Sequence, residues 1–185
     1  MTRRRANNPV DQARTVFAIF LVPEFSLFGF SALIDPLRAA NRISGEPLYG
    51  WRLISRDGAP VPASSGIEVV VDADMANAGA LSHLIVVAGM NAHRYADKDV
   101  LAWLRRLDRR GCRIGAISTA SLLLARAGLL DGYRCTIHWE NLASLREEYP
   151  DLDLTPEVFE IDRKRFTCSG GTAALDMMLA LIALE

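Results

Sequence analysis

Ser118 and His138 are the two side chains whose types and order could make a nucleophile and its base. Ser118 follows the short apolar run Arg113 to Ile117 and precedes Thr119-Ala120-Ser121 and the helix formers Leu122, Leu123 and Leu124. A strand, a sharp turn and a helix in that order hold the turn residue at a helix N-terminus, beside N–H groups with no partner inside the helix. A hydroxyl there attacks a carbonyl if a base takes its proton and N–H donors receive the developing oxyanion. His138 is the candidate base, and the N–H groups of Thr119 and of Met90, after Gly89, are the candidate donors. An acid must orient the imidazole, and Glu140, Asp131 and Glu24 are all candidates that spacing does not separate. Gly-x-Ser-x-Gly is absent, because Ala116 and Ala120 occupy the glycine positions. The plainer reading is that Ser118 fits a cramped turn and caps a helix, and that His138 is a satisfied core histidine.

A second chemistry is recognition. Trp139 follows His138, and with Phe25 and Tyr95 it could surround a cation, Glu24 supplying the counter-charge. Cys168 precedes Ser169-Gly170-Gly171 at a helix start, where a thiolate is favoured. The plainer role of that run is a close backbone approach through the two glycines. His83 and His93 have no partner at metal-ligand spacing.

The elements that must position these residues alternate. Thr15 to Val22 and Leu84 to Ala88 are nearly continuous in apolar character, as strands buried on both faces of a parallel sheet are. Phe30 to Arg42 and Asp97 to Arg110 carry helical apolar periods, and Glu140 to Tyr149 reads as a further helix stopped by Pro150. Trp51 to Ser55 is a second strand, and Ile67 to Val71 an extended piece of an added hairpin. Tyr133 to Ile137 is a brief strand that delivers His138. Val158 to Ile161 and Phe166 to Cys168 make a hairpin about Asp162-Arg163. Ala173 to Leu184 is a helix apolar nearly all round, which must be buried or must pack against something beyond the chain. Strands alternating with helices predict an α/β fold with a mostly parallel sheet.

The 185 residues suffice for one domain, expected over 15–185 behind a disordered leader over 1–14. A net charge of −1 makes the chain alone a poor nucleic-acid ligand, the basic start Thr2 to Asn8 notwithstanding. The three cysteines, Cys112, Cys135 and Cys168, are widely spaced and read as free thiols in a reducing cytoplasm, without zinc. No apolar run is long enough for a membrane span, and no cofactor is expected.

Four segments together are specific. Arg113-Ile-Gly-Ala-Ile-Ser-Thr-Ala-Ser121, Ala127-Gly-Leu-Leu-Asp-Gly132, Thr136-Ile-His-Trp139 and Phe166-Thr-Cys-Ser-Gly-Gly-Thr-Ala-Ala-Leu-Asp-Met-Met178 resemble the PfpI-like branch of the class I glutamine amidotransferase-like superfamily. Within it the chain is most similar to the N-terminal domain of GlxA-type regulators of the AraC family, as are Ile34 to Asn41 and Trp139 to Pro150. The resemblance implies a flavodoxin-like three-layer sandwich, a nucleophile-elbow-type turn at Ser118, small added hairpins and a homodimer. It also implies a DNA-binding domain with two helix-turn-helix units following Glu185, the only route to DNA. In PfpI-like enzymes the elbow carries a cysteine, with a glutamate from the end of the first strand region poised against it. Ser118 stands at the cysteine position, the glutamate position falls near Gly29, and the histidine is kept as His138. Glu24 is offset and needs a different backbone path to substitute.

Regulators of this group respond to nitrogenous metabolites such as betaine-, carnitine- or arginine-like compounds. The expected function is therefore a non-catalytic sensing and dimerisation domain of a cytoplasmic transcription regulator. Ser118, Thr119, His138 and Trp139 would line its pocket, with Glu24, Phe25, Gly89 and Met90 around it. The alternative is a hydrolase or hydratase using Ser118 and His138, and a silent dimerisation scaffold is the third reading.

Overall fold

Apolar runs that fit neither an amphipathic helix nor an alternating strand become the centre of the sheet. The computed structural model describes residues 10–95 and 97–184. In chain order it contains β1 (Thr15–Leu21), α1 (Leu27–Ser44), β2 (Tyr49–Ser55), β3 (Val61–Pro62), β4 (Glu68–Val69), β5 (Ala73–Asp74), β6 (His83–Val87) and α2 (Lys98–Arg109). There follow β7 (Arg113–Ile117), α3 (Ala120–Arg126), β8 (Arg134–Cys135), α4 (Leu142–Glu148), β9 (Asp153–Leu154), β10 (Phe159–Asp162), β11 (Arg165–Cys168) and α5 (Ala173–Ala183). Single 3-10 turns lie at Met90–Arg94 and Trp139–Asn141.

Seven strands form one sheet in the order β10-β11-β7-β6-β1-β2-β5. Every pairing in it is parallel except that of β10 with β11. β1, β6 and β7 are central and carry almost no exposed side chain beyond their first residues. One face of the sheet packs on α2, α3 and α4 through residues such as Phe20, Val86, Ile114, Leu104 and Leu123. The other packs on α1 and α5 through Phe17, Ile19, Ile85, Leu33 and Met177. The result is the flavodoxin-like three-layer α/β sandwich, with the small pairs β3–β4 and β8–β9 added outside the sheet.

The differences from the sequence reading have local causes. α1 begins at Leu27 rather than Phe30, because Ser26 caps it by accepting the N–H of Gly29. The extended stretch at Ile67–Val71 pairs over only two residues, and β5 is added where no apolar alternation signals it. The Tyr133–Ile137 strand contracts to Arg134–Cys135. Trp139 to Asn141 is a 3-10 turn ahead of α4 rather than part of a helix from Glu140. Residues 10–14, assigned to the leader from sequence, touch the domain: the Val10 Cα lies 3.0 Å from where a Cβ on Gly50 would stand, and the Arg14 N–H donates to the Pro47 carbonyl at 3.3 Å. The basic start at residues 2–8 and the last residue, Glu185, lie outside the described residues.

α5 is sided rather than wholly buried. Ala174, Met177, Met178 and Leu181 face the core, while Leu179 is 51% exposed and Leu175 is 38% exposed.

Candidate ligand-binding site at the strand-to-helix corner

Parallel strands deliver their C-terminal ends to one edge of the sheet, where open α/β folds bind ligands. Here β1 leads to Glu24, β6 to Gly89, β7 to Ser118 and β11 to Ser169-Gly170-Gly171. Ser118 has φ 62, a left-handed backbone that a non-glycine residue adopts only when its surroundings hold it there. Its N–H donates to the Cys168 carbonyl at 2.9 Å, and its own carbonyl accepts from the His138 N–H at 3.3 Å. Gly170 presses against it from β11, since a Cβ on Gly170 would stand 2.8 Å from the Ser118 Cβ. Of the glycine pair expected to allow a close approach, Gly170 makes it, onto the corner itself, while a Cβ on Gly171 would meet nothing within 4 Å.

The capping role expected of Ser118 and Thr119 does not form. α3 starts at Ala120 without a side-chain cap. The Thr119 hydroxyl instead donates across to the Gly89 carbonyl, joining the corner to the end of β6. Ser121 donates to the Thr136 carbonyl at 2.7 Å, and the Thr136 N–H donates to Thr167 Oγ1 at 2.8 Å. Thr136 Oγ1 donates to the carbonyls of Thr155 and Glu157. This buried hydroxyl network fixes the segment that carries His138. The sequence reading missed it; a hydroxyl at apolar positions such as Thr136 and Thr167 was the available signal.

The Ser118 hydroxyl, on a residue only 6% exposed, makes no hydrogen bond among the described residues. His138 holds its Nδ1 3.7 Å from Glu140 Oε2, beyond hydrogen-bond reach, so that buried nitrogen has no hydrogen-bond partner among the described residues. Of the three acids considered, Glu140 is thus the one beside the imidazole. Glu24 stands in a left-handed backbone, φ 64, and its carboxylate accepts from the Asn91 side-chain amide. Asn91 was not foreseen. A Cβ on Gly29 would stand 3.3 Å from Ile117 Cγ2, against the strand end that carries Ser118.

Two expectations are overturned. The aromatic cage of Phe25, Tyr95 and Trp139 does not assemble. Phe25 is fully buried edge-to-face against Phe30 in the α1–α5 layer, so its ring offers no face to a ligand. Tyr95 packs in the opposite layer, where burial pushes its phenol up to about 12. Trp139 alone is available, 72% exposed and tilted against His138 with ring centroids 5.7 Å apart. The second is the Cys168 thiolate. Burial raises that thiol to about 12, outweighing the backbone hydrogen bonds from Gly170 and Ser118 that favour the anion. Cys112 and Cys135 are raised to about 12 by the same cause, and all three thiols are free.

Thr119 and Met90, the two expected N–H donors, lie on segments tied together by the Thr119–Gly89 hydrogen bond. Met90 is 65% exposed at the start of its 3-10 turn. The segments that follow β1, β6, β7 and β8 thus carry N–H groups, the Ser118 hydroxyl, an imidazole, an exposed indole and the carboxylates of Glu24 and Glu140. Among the described residues no group of three His, Cys, Asp or Glu could hold a metal, and no helix is long and apolar enough to cross a membrane.

The chain belongs to the DJ-1/PfpI family, whose sequence profile matches residues 16–184. It is similar to the HTH-type transcriptional regulator CdhR of Pseudomonas aeruginosa, 47% identical over 167 residues that cover 90% of this chain and 49% of that protein. It is 42% identical to the HTH-type transcriptional regulator GlxA of Rhizobium meliloti, over 88% of this chain and 51% of that one. The chain thus spans about half the length of these relatives. Among solved structures it is similar to an AraC family transcriptional regulator from Pseudomonas putida, with a TM-score of 0.83, 29% identity, and 92% and 91% of the two chains covered.

Proposed function

We propose, on the premise of that family membership, that this chain is the small-metabolite-sensing domain of an HTH-type transcription regulator rather than an enzyme. The observation that carries the reading is the state of the corner. A serine hydroxyl needs an adjacent base to become a nucleophile. The Ser118 hydroxyl makes no hydrogen bond to a base among the described residues, Gly29 has no side chain to supply one, and Glu24 is engaged with Asn91. What is left is a receptor. The N–H groups of Thr119 and Met90 with the Ser118 hydroxyl suit a carboxylate or amide, and Trp139 with Glu24 and Glu140 suits a cation. A small nitrogenous zwitterion satisfies both ends.

The remainder of the regulator, with its DNA-binding helix-turn-helix units, follows Glu185 in this reading. Ligand binding shifts the arrangement of two copies, and so of the attached units. A second copy is supported by Leu175 and Leu179 on α5 and Phe28 on neighbouring α1, which stay exposed. The chain works in the cytoplasm and takes no cofactor.

Thermal-shift titration with glycine betaine, carnitine and arginine tests the reading. One of them raises the melting temperature of the chain, since a ligand held only by the folded form stabilises it by mass action. Trp139→Ala and Glu24→Gln each reduce that shift, by about tenfold in affinity for a lost contact of roughly 1.4 kcal/mol. Light scattering on the same samples reads the dimer. Turnover of an amide or isonitrile that vanishes in Ser118→Ala replaces sensing by catalysis.

A further inference from the structure

The net charge of −1 conceals an uneven distribution. At the sheet edge opposite the corner, α2 ends in Arg106, Arg109 and Arg110, and the chain turns at Gly111 into Arg113 at the start of β7. Lys164 joins them from the neighbouring hairpin, because its carbonyl accepts the Ile114 N–H at 3.0 Å. Arg106, Arg109, Arg110 and Lys164 are exposed and have no carboxylate partner among the described residues. Acids on the same segments are engaged: Asp108 with Arg165 Nη2 at 2.6 Å, and Asp162 with Arg163 Nε at 2.9 Å. Asp131 remains in the adjoining loop. Complementing the α2 C-terminus accounts for Arg106 and Arg109. It extends to Arg110, the C-cap of α2, but does not account for Lys164, which comes from a different strand pair.

α5 runs from Gly171 at the corner back toward this same basic edge, as a helix following a parallel strand must. We propose that the edge formed by Arg106, Arg109, Arg110 and Lys164 contacts DNA phosphates beside the site read by the attached helix-turn-helix units. The proposal rests on the regulator reading above, which places those units after α5. The cations are long and flexible and form no pocket, so they suit a continuous line of phosphates rather than a single small anion. They add affinity and register without base specificity.

Fluorescence anisotropy of the 185-residue chain with a labelled duplex of unrelated sequence tests this directly, over roughly 20 to 200 mM salt. The wild-type chain binds at the low end. Arg109→Gln/Arg110→Gln/Lys164→Gln binds at least about tenfold more weakly, and its slope of log affinity against log salt is shallower by about 2 to 3, near 0.9 for each lost contact. Equal melting temperatures establish that the variant is folded. A wild-type chain that does not bind, a variant with unchanged affinity and slope, or binding abolished instead by Arg3→Gln/Arg4→Gln/Arg5→Gln overturns the proposal. The parent protein separates this from the regulator reading. There the triple variant keeps its preferred sequence and loses affinity for all sequences alike. A parent protein that prefers no sequence defeats the regulator reading, while the edge is still scored by the isolated chain.

Discussion

Two corners at the C-terminal ends of the central strands pass through left-handed backbone without a glycine, Ser118 at φ 62 and Glu24 at φ 64, and they are held in opposite ways. The inner corner, Ser118, is fixed by its main chain. Cys168 and His138 bond its backbone, Gly170 packs against its Cβ, and its hydroxyl has no hydrogen bond among the described residues. The outer corner, Glu24, has its N–H bonded to the Pro62 carbonyl at 2.8 Å, its carbonyl crowded by Gly89, and its side chain bonded to Asn91. One corner presents a free reactive group on a rigid backbone. The other presents an engaged carboxylate in the β1–α1 loop, tied to the added β3. A base poised against a nucleophile must be aimed at it, and the Glu24 carboxylate is instead hydrogen-bonded to Asn91.

The largest effect that sharpens this contrast is expected at the glycines beside each corner. A Cβ on Gly89 would lie far inside van der Waals contact distance of the Glu24 carbonyl oxygen, a backbone atom that cannot swing aside. Gly89→Ala should cost about 3 kcal/mol or more, lowering the melting temperature by roughly 6 to 12 °C for a chain of this size. Gly170→Ala meets the Ser118 Cβ at 2.8 Å and also strains φ 93, and should cost about 2 to 3 kcal/mol. Gly66 is the control, with φ 82 and nothing within 4 Å, so Gly66→Ala should cost only about 1 to 2 kcal/mol of backbone strain. If Gly89→Ala melts within a degree of Gly66→Ala, the two corners are not packed as described.

The sequence made one corner legible and not the other, for a physical reason. Ser118 lies in a continuous apolar-strand, small-residue, helix-former pattern, so the turn and its helix N-terminus follow from local chemistry. The sheet class, the central strands and the Gly170 approach follow from similarly local signals. Glu24 lies in Pro-Glu-Phe-Ser, which reads only as a loop. Its left-handed turn is imposed by Pro62 and Gly89, far away in sequence, and its Asn91 partner by the 3-10 turn after β6. The aromatic cage failed for the same reason. Which layer receives Phe25 and which receives Tyr95 depends on loop paths, and sequence spacing carries no record of those.

A smaller effect separates the corners by side-chain shape. Replacing Ser118 with glycine should be nearly neutral, within about 1 kcal/mol, since relieved strain of roughly 1 to 2 kcal/mol offsets the added freedom of the unfolded chain. Ser118→Val should cost about 2 kcal/mol or more, because a β-branched residue must take φ 62 in a site that is 6% exposed. Glu24→Val carries the same backbone strain on a more open segment and should cost about 1 to 2 kcal/mol. Denaturant midpoints at constant slope measure all three. Equal losses for the two valine variants would erase the distinction between an inner and an outer corner.

The smallest effect tests how firmly the inner corner is closed from below. The Cys168 carbonyl accepts the Ser118 N–H, so the thiol sits directly beneath the corner, and burial raises it from the ordinary value of 9.0 to about 12. The folded chain therefore holds its proton over a range where the unfolded chain has lost it. Stability from this group is full below about pH 9 and declines as pH rises from 9 toward 12. Cys112 and Cys135 titrate in the same direction, so the alkaline loss is shared, and Cys168→Ala removes only part of it. At pH 8 a thiol reagent should modify Cys168 at the rate at which the chain opens and not at the rate of a free thiol. Rapid modification of the native chain, followed by mass spectrometry at Cys168, would mean that the corner opens without global unfolding. The rigid backbone that distinguishes Ser118 from Glu24 would then be lost as an explanation for why its hydroxyl stays unpaired.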